Sequence, residues 1–517
     1  MGFVWLQTPG LFDRGILEWD ARALPLCAYR FHGTGMFARD LGMDAAARYG
    51  TPLWTAIYWV GTLFTDPLMV SKLLPFALFA VVVWQSYALG RELGGPVTGA
   101  LCVVSVVHCS FIWNRLAGGH SRGFGFPLVI ALMRYAVCSK ERRALALLIL
   151  QGLAYPSALL CCGPAYAVVA WQRGRGPFVR AVIASAIGIA CAGASLWHDP
   201  KLGGAPSYAQ AAGLRQMQIG AAQPYYPLPP LASSLVGVAL QPFRADGDSW
   251  HGVRVANVVG LAILAVAAVG ALLRSAAIPN GAIFVALPLC GLLSALAAQL
   301  LAYRLYLPDR MLQLGIIPVA LLALPVLATQ ALASPMRAAL LVSVMTFGIG
   351  GDGLPLAENL TDCRRHETPA MRFVATLPPD TLIATHAERS TYVQLFAKRP
   401  VLFSAAINVP FLYDYAVEID QRMEAFYRAY YARTPEEVAA LRVRYAVDYV
   451  IVDTRDFGSD AVRRAKYFEP WGTLTAKLLA GVDASTLALA HPPQSAIVFE
   501  GENQRVVDLR AYSGALR

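Results

Sequence analysis

Three segments of the chain mix charged and aromatic side chains beside long apolar runs, a combination that suits the handling of a phosphate ester. The first contains Glu18-Trp19-Asp20-Ala21-Arg22, the second runs from Asn114 to Arg122, and the third from Ala302 to Arg310. A carboxylate can deprotonate or orient a hydroxyl group, and the guanidinium fork of arginine matches phosphate. The alternative is that these segments are solvated loops or anchors at a membrane surface.

The second and third segments supply the candidate phosphate ligands. Arg115, His120 and Arg122 stand close together in one short loop, where a lipid phosphate head group would lie at a membrane surface. Arg304 and Arg310 form a similar pair among tyrosines. We therefore expect these five side chains to bind substrate.

The elements that must position these residues lie in lipid. Of the 517 residues, 56% are hydrophobic and 15% are charged, against roughly 45–50% and about 25% in soluble domains. The mean hydropathy is +0.49. This composition indicates a membrane protein and excludes a soluble enzyme, a disordered chain and a disulfide scaffold.

Apolar runs that could cross about 30 Å of hydrocarbon predict about ten membrane spans. The single runs are 73–90, 96–113, 123–138, 178–197, 255–273, 281–302, 311–330 and 337–350. Residues 143–171 form a longer run with Pro156 near its middle, which predicts two short passes or a broken helix. Residues 51–65 are aromatic and shorter, and we interpret them as an interfacial or half-inserted helix.

Basic clusters give the orientation. Lys140-Glu141-Arg142-Arg143 and the group Arg173, Arg175 and Arg180 are the densest short basic loops, so the positive-inside rule places them in the cytoplasm. By alternation, an outer first loop (residues 1–50) and the other long connections share the opposite face. Because the basic loops account for the pI near 9.2, we expect membrane lipid and no nucleic acid as a partner.

Charge density divides the chain near Thr361. Residues 1–361 carry 24 Lys and Arg against 14 Asp and Glu, whereas residues 362–517 carry 19 of each. We therefore expect a transmembrane domain (residues 51–361) and a periplasmic α/β domain (residues 362–517). The fold class is an α-helical polytopic membrane protein with a C-terminal soluble α/β domain.

Local patterns predict the elements of the soluble domain. Four short β-rich runs predict strands at 381–384, 401–403, 449–452 and 496–499. Thr434, Pro435 and Glu437 predict a helix with a capping box. No phosphate-binding glycine loop is present in this part of the sequence.

Metal and cysteine patterns are weak. The sequence contains no HExxH or CxxC motif, so we predict no zinc site. Cys27 and Cys363 are the two cysteines of the outer segments, and we expect no disulfide between them. Asp20, Asp40 and Asp44 of the first loop could hold a divalent cation, although no spacing requires one.

Two rival functions remain open beside an enzyme. A lipid or glycan transporter is disfavoured because the apolar spans contain almost no carboxylates, which proton-coupled transporters usually need at the midplane. A non-catalytic scaffold is disfavoured only by the arginines around an acidic loop. Because no apolar segment precedes the outer first loop, we also expect the native start to lie upstream and to include another span.

The layout resembles the GT-C-type membrane glycosyltransferases, which have many spans, an acidic first outer loop and often a soluble outer domain. The resemblance is carried by short motifs along most of the chain: Asp20-Ala21-Arg22, the segment Asn114 to Pro127, Tyr155-Pro156, Tyr306-Leu307-Pro308 with Arg310, and Tyr445 to Asp453. Uncharacterised bacterial multi-span proteins of this type are the most similar. Many GT-C enzymes have two adjacent acidic residues in the first loop, whereas this chain has Trp19 before Asp20.

The resemblance implies a function and a catalytic residue. Asp20 falls at the acidic position of the first loop, which in such enzymes acts as a base or metal-linked carboxylate near the acceptor. The implied activity is transfer of a sugar from a polyprenyl-phosphate donor to an acceptor on the periplasmic side of a bacterial inner membrane. Substrate-binding residues would then be Arg22, Asp40 and Asp44 in the first loop, together with the five side chains of the later loops.

Overall fold

The computed structural model describes residues 13, 15–195, 201–221, 224–240, 281–305, 307–332, 334, 336, 360–408, 410–458, 461 and 467–514. Helices dominate its first part. They are α1 (Leu41–Tyr49), α2 (Pro52–Gly61), α3 (Pro67–Val107), α4 (Ser110–Leu116), α5 (Gly125–Val137), α6 (Glu141–Ala154), α7 (Pro156–Gln172), α8 (Arg175–Ser195), α9 (Tyr208–Gly213), α10 (Leu231–Leu240), α11 (Ile283–Leu301) and α12 (Pro308–Ala331).

Helix α3 is two helical stretches joined at a glycine pair. Gly94 and Gly95 have non-helical backbone angles, and Gly95 has a φ of +87°, which glycine adopts without steric cost. The chain reverses there, since a Cβ atom on Gly90 would lie less than 3.0 Å from the backbone of Gly99. The first stretch covers the predicted span 73–90, whereas the second ends at Val107, before the end of the predicted span 96–113.

The long run 143–171 is broken as predicted. Helix α6 ends at Ala154 and helix α7 begins at Pro156, where the missing N–H and fixed φ of proline suit a first helical position. Gly152 lets α6 approach α8 closely, because a Cβ atom there would overlap the backbone of Gly188. The run 51–65 likewise contains a short helix, α2.

Four helices of the described part are long and apolar enough to cross a membrane: α3, and the stretches Arg175–Gly193, Ile283–Leu301 and Pro308–Gln330. The predicted number of about ten spans is not confirmed. The predicted spans 255–273 and 337–350 lie outside the described residues. Helix α5 has 13 residues and helix α6 has 14, which is shorter than a straight crossing needs.

The C-terminal part of the chain contains a small sheet among helices. Its helices are α13 (Pro369–Val374), α14 (Ala387–Tyr392), α15 (Tyr413–Tyr430), α16 (Pro435–Tyr445), α17 (Trp471–Leu479) and α18 (Leu509–Gly514). The strands are β3 (Ile383–Ala384), β4 (Tyr449–Asp453), β5 (Ile497–Glu500) and β6 (Gln504–Asp508), in the order β3-β4-β6-β5. β3 and β4 are parallel, and the other two pairings are antiparallel.

Most of the predicted elements of this part are present. Three of the four predicted strands overlap β3, β4 and β5, and Val401 of the fourth forms an isolated bridge to Ile383. Helix α16 begins at Pro435, and Thr434 and Glu437 form both bonds of the capping box. All five residues of β4 are buried, as expected for a central strand.

A second, two-stranded sheet joins the first loop to the start of the C-terminal part. Strand β1 (Ile16–Glu18) pairs antiparallel with β2 (Leu360–Asp362), with Glu18 opposite Leu360. The backbone N–H of Cys363 continues the pairing by donating to Gly15 O at 2.7 Å. This pairing fixes the position of Glu18, from which the candidate site is built.

Candidate functional site

The site begins where strand β1 ends and the chain turns. Glu18 is the last residue of β1, and a 3₁₀ turn follows at Asp20–Arg22. The Glu18 Oε2 atom accepts the backbone N–H groups of Asp20 at 2.9 Å and Ala21 at 3.0 Å. These bonds satisfy donors that a turn leaves unpaired. The buried carboxylate of Glu18, which is 3% exposed, therefore holds the backbone of Asp20 in place.

A glycine pair shapes the opposing loop. Gly118 and Gly119 have φ values of +80° and +63°, a region that costs other residues energy. The carbonyl of Gly119 accepts the indole N–H of Trp54 at 2.8 Å and the hydroxyl of Tyr58 at 3.1 Å. These bonds hold the loop on helix α2, so that His120 and Arg122, which follow, face strand β1.

Two side chains of this loop meet the first-loop carboxylates. His120 Nε2 lies 3.0 Å from Glu18 Oε2. Arg122 donates from Nη2 to Glu18 Oε1 at 2.9 Å and from Nη1 to Asp20 Oδ2 at 2.7 Å. The guanidinium group therefore bridges two carboxylates, and the four side chains form one charged cluster, which we call the Glu18–Arg122 cluster (Glu18, Asp20, His120 and Arg122).

Asp20 is the more exposed of the two carboxylates in the cluster. Its side chain is 28% exposed, against 3% for that of Glu18. Burial raises the pKa of Asp20, but the charges of Arg122 and His120 and the Arg122 hydrogen bond together hold this pKa below its ordinary value. Asp20 is therefore ionised at neutral pH.

Arg22 lies beside the cluster but points another way. Its Nε donates to Trp19 O at 2.9 Å, and its Nη1 donates to the Tyr392 hydroxyl at 2.6 Å. The guanidinium carbon lies 3.6 Å from the centroid of the Trp19 ring. Arg22 thus connects the first loop to helix α14 and supports an indole ring.

The other two carboxylates of the first loop lie elsewhere. Asp40 is fully buried, caps helix α1 by accepting Met43 N at 3.0 Å, and accepts Gln394 Nε2 at 2.7 Å and Val401 N at 2.9 Å. Burial raises the pKa of Asp40 despite these bonds. Asp44 is partly exposed and pairs with Arg30 at 2.5 Å. Asp40 thus holds the first loop against the C-terminal part.

Arg115 and Arg310 belong to a second polar group at the start of α12. Arg310 lies 4.0 Å from Asp309 and 3.4 Å from Gln313 Oε1, and Gln313 donates to Asp309 at 2.9 Å. Arg115 interacts electrostatically with Asp309 and stacks on Phe111 at 4.7 Å. Arg304 is exposed.

The donor atoms of the cluster fit a divalent metal ion. One ligand atom each from Glu18, Asp20 and His120 lies within 4.8 Å of the others. Two carboxylates and an imidazole suit Mn²⁺ or Zn²⁺, although the sequence, which lacks HExxH and CxxC motifs, predicted no zinc site. In the described arrangement both carboxylates accept hydrogen bonds from Arg122, so a bound cation would share them with a guanidinium group.

Sequence reasoning missed two members of this region. Glu18 stands in the first predicted segment, but nothing in its spacing shows that it is buried or that it contacts His120. Tyr392 lies 370 residues from Arg22, and no local pattern reveals such a contact. The only signal for Glu18 was its acidic character two residues before Asp20.

Comparison with known proteins finds distant structural neighbours. The oligosaccharyltransferase of Archaeoglobus fulgidus, tethered to an acceptor peptide, has a TM-score of 0.42 and 11% identity, covering 89% of this chain and 67% of that chain. The same enzyme, AglB, bound to an inhibitory peptide and a dolichol-phosphate, has a TM-score of 0.43 and 11% identity, covering 89% and 68%.

ArnT from Cupriavidus metallidurans in the apo state has a TM-score of 0.39 and 13% identity, covering 98% of this chain and 97% of that chain. These neighbours are of the GT-C type that the sequence resembles. No protein-family model and no curated protein sequence matches the chain. Because the TM-scores lie below 0.5, we take residue roles from the contacts described above.

Proposed function

We propose that this protein is a membrane glycosyltransferase that moves a sugar from a polyprenyl-phosphate donor to an acceptor hydroxyl on the periplasmic face of a bacterial inner membrane. One observation carries the proposal: Asp20 is an ionised, partly open carboxylate held by Arg122 in a buried charged cluster. A carboxylate in this state can accept a proton. The long apolar helices that follow in the chain provide the membrane location of a lipid-linked donor.

Asp20 acts as the base. Its Oδ2 accepts the Arg122 hydrogen bond, whereas its Oδ1 has no hydrogen bond among the described residues. An acceptor hydroxyl that donates to Oδ1 loses its proton to Asp20 as its oxygen bonds to the anomeric carbon of the sugar. The bond between that carbon and the phosphate oxygen breaks, and its electron pair leaves with the polyprenyl phosphate.

Arginines neutralise the leaving phosphate. Arg115, Arg304 and Arg310 carry three positive charges near the start of α12, and Asp309 offsets one of them. The Nε of Arg310 is buried, lies 4.0 Å from Asp309 Oδ2 and makes no hydrogen bond within the described part of the chain. Positive groups placed where negative charge develops lower the barrier to group transfer.

A divalent ion could assist the same step. Glu18, Asp20 and His120 would hold it, and it would supply further positive charge beside the reacting groups. His120 would then bind as the neutral imidazole, which is the form that ligates metals.

Retained lipid tests the proposal. We would purify the full chain and its Asp20→Asn variant from cell membranes and identify bound lipids by mass spectrometry. The parent protein should retain mainly sugar-free polyprenyl phosphate, whereas the variant should retain the sugar-loaded donor because transfer is blocked. Asp508→Asn is the matched control, since Asp508 pairs with Arg510 at 3.0 Å in the C-terminal part. Absence of polyprenyl phosphate from all three samples would contradict the proposal.

A further inference from the structure

Trp19 presents an open aromatic surface directly beside Asp20. Its side chain is among the more exposed large hydrophobic ones of the described residues, at 56%. Trp19 directly precedes the 3₁₀ turn Asp20–Arg22, so the indole and the Asp20 carboxylate extend from neighbouring backbone positions. Trp59, Trp84 and Trp171 are exposed to a similar degree, so it is the position next to the candidate base that distinguishes Trp19.

The ring is fixed from one side only. The Arg22 guanidinium group stacks on one face at 3.6 Å and also bonds the Trp19 carbonyl at 2.9 Å. Arg22 itself is 3% exposed and is held by the Tyr392 hydroxyl. Tyr392 in turn stacks on His366 at 4.3 Å, with an angle of 11° between the rings. These contacts with Arg22 therefore restrict the rotation of the Trp19 side chain.

This support has an electrostatic consequence. A cation on one face of an indole is attracted by the negative charge of the ring's π-system. The Arg22 cation draws part of the π-electron density toward its own face, and the opposite face keeps enough negative charge to attract the partly positive C–H groups of a pyranose ring. Fixing the ring in advance also reduces the conformational entropy that a ligand must overcome on binding.

We propose that Trp19 is the stacking platform for a saccharide acceptor, whose ring lies on the open indole face while one of its hydroxyls faces Asp20. This inference rests on the proposed glycosyl transfer and names the acceptor class, a carbohydrate. Arg22 and Tyr392 are positioning residues for the platform.

Saturation-transfer NMR tests the platform without knowledge of the natural acceptor. We would embed the full chain in nanodiscs free of sugar detergents and probe it with methyl β-D-glucopyranoside, methyl β-D-galactopyranoside and methyl α-D-mannopyranoside. At least one glycoside should receive saturation on its ring protons. Trp19→Ala should weaken that binding by roughly two- to twelvefold, the range that aromatic stacking supplies, and Trp19→Phe should retain part of it.

Trp171→Ala is the matched control, because Trp171 is 58% exposed and lies at the end of α7, where its ring contacts Phe178. It should leave the signal unchanged. The proposal fails if no glycoside receives saturation from the parent protein, or if Trp19→Ala and Trp171→Ala behave alike. It also fails if Trp19→Ala loses retained polyprenyl phosphate but not glycoside, since the indole would then serve the lipid.

The outcome can be separated from that of the proposed function. If Asp20→Asn retains parental transfer while glycoside binding still requires Trp19, the assigned base is wrong and the platform stands. If Asp20→Asn blocks transfer while Trp19→Ala leaves both glycoside binding and the acceptor KM unchanged, the proposed glycosyl transfer is supported and the proposed role of Trp19 is wrong.

Discussion

Glu18 Oε2 lies 3.0 Å from His120 Nε2, although 102 residues separate the two in the chain. The same Oε2 atom also accepts the backbone N–H groups of Asp20 and Ala21. One buried carboxylate therefore determines both the backbone position of Asp20 and the placement of the opposing loop. Glu18 orients the site, while Asp20 reaches solvent and can meet a substrate.

Replacement of Asp20 by Asn separates chemistry from stability. Asp20→Asn removes the proton acceptor, so we expect sugar transfer to fall about a hundredfold or more. The free energy of unfolding should change by about 1 kcal/mol or less, because a partly exposed ion pair contributes little. Transfer is measured in reconstituted membranes and stability by thermal unfolding.

Asp508→Asn supplies the comparison for that experiment. It removes a carboxylate paired with arginine in the C-terminal part, so it should leave transfer near the parent rate. Parental transfer by Asp20→Asn would show that Asp20 is not the base.

Removal of the Arg122 charge should move the pH profile of transfer. Burial raises the pKa of Asp20 and the Arg122 charge lowers it below the ordinary value. In Arg122→Gln burial is less opposed, so this pKa rises and the ionised base is lost at a higher pH. The acid limb of the rate profile should therefore shift to higher pH. A pH profile of the transfer rate measures this.

The test depends on the pH at which the transfer rate falls on the acid side of the profile, and not on the maximal rate. Arg304→Gln should lower the rate by weakening phosphate binding but leave the limb in place, because no hydrogen bond of Arg304 to Asp20 is present in the described structure. If the acid limb of both variants lay at the same pH as that of the parent, Arg122 would not control the pKa of Asp20.

Sequence predicted what depends on local patterns. The break at Pro156 and the capping box at Thr434 and Glu437 follow from neighbouring residues alone. The sequence placed the loops of Asp20 and Arg122 on one face of the membrane, but it assigned Arg122 to the donor phosphate and did not predict its ion pairs with Glu18 and Asp20. The contacts of Glu18 could not be predicted, because they arise when β1 pairs with β2, more than 340 residues away. Asp40 shows the same difficulty, since its partners Gln394 and Val401 are equally distant.

Asp40 should matter for stability. Asp40→Ala leaves the buried N–H groups of Met43, Gln394 and Val401 without their acceptor, which should lower the free energy of unfolding by about 3 kcal/mol or more. Because burial raises the pKa of Asp40, its contribution is fully present below the unfolded pKa and declines as pH rises through the folded value. Thermal unfolding of both proteins across pH measures the difference.

That difference should therefore shrink as the pH rises. A gap that widened with pH would mean that the pKa of Asp40 is lowered in the folded protein. An Asp40→Ala variant as stable as the parent would remove its role in joining the first loop to the C-terminal part.

The orientation of the chain can be tested with reporters. Since Lys140–Arg143 and Arg173–Arg180 are assigned to the cytoplasm by their charge, the C-terminal part should be periplasmic. Alkaline phosphatase fused after Arg517 should be active, and a fluorescent protein that matures only in the cytoplasm should be dark. The reverse result would place Asp20 in the cytoplasm as well, because β1 pairs with β2 on the same side.

Replacement of Gly118 by alanine tests the geometry of the Glu18–Arg122 cluster. Gly33 is the matched control position, because its backbone has a similar conformation. Both have positive φ, +80° and +69°, so an alanine at either should cost about 1–2 kcal/mol of backbone strain. They differ in surroundings. A Cβ atom on Gly118 would lie less than 3.0 Å from His120 Nε2 and Glu18 Oε2, whereas one on Gly33 would meet nothing within 4 Å.

Gly118→Ala should therefore push His120 away from Glu18 and loosen the backbone of Asp20, reducing transfer at least about tenfold, because small misplacements of catalytic groups are costly. Gly33→Ala should lose a similar amount of thermal stability and keep most of its transfer. Rates and unfolding temperatures of the two variants, measured side by side, separate strain from geometry. Equal losses of transfer would mean that backbone strain alone explains the effect, and that close contact between Gly118, His120 and Glu18 is not required for catalysis.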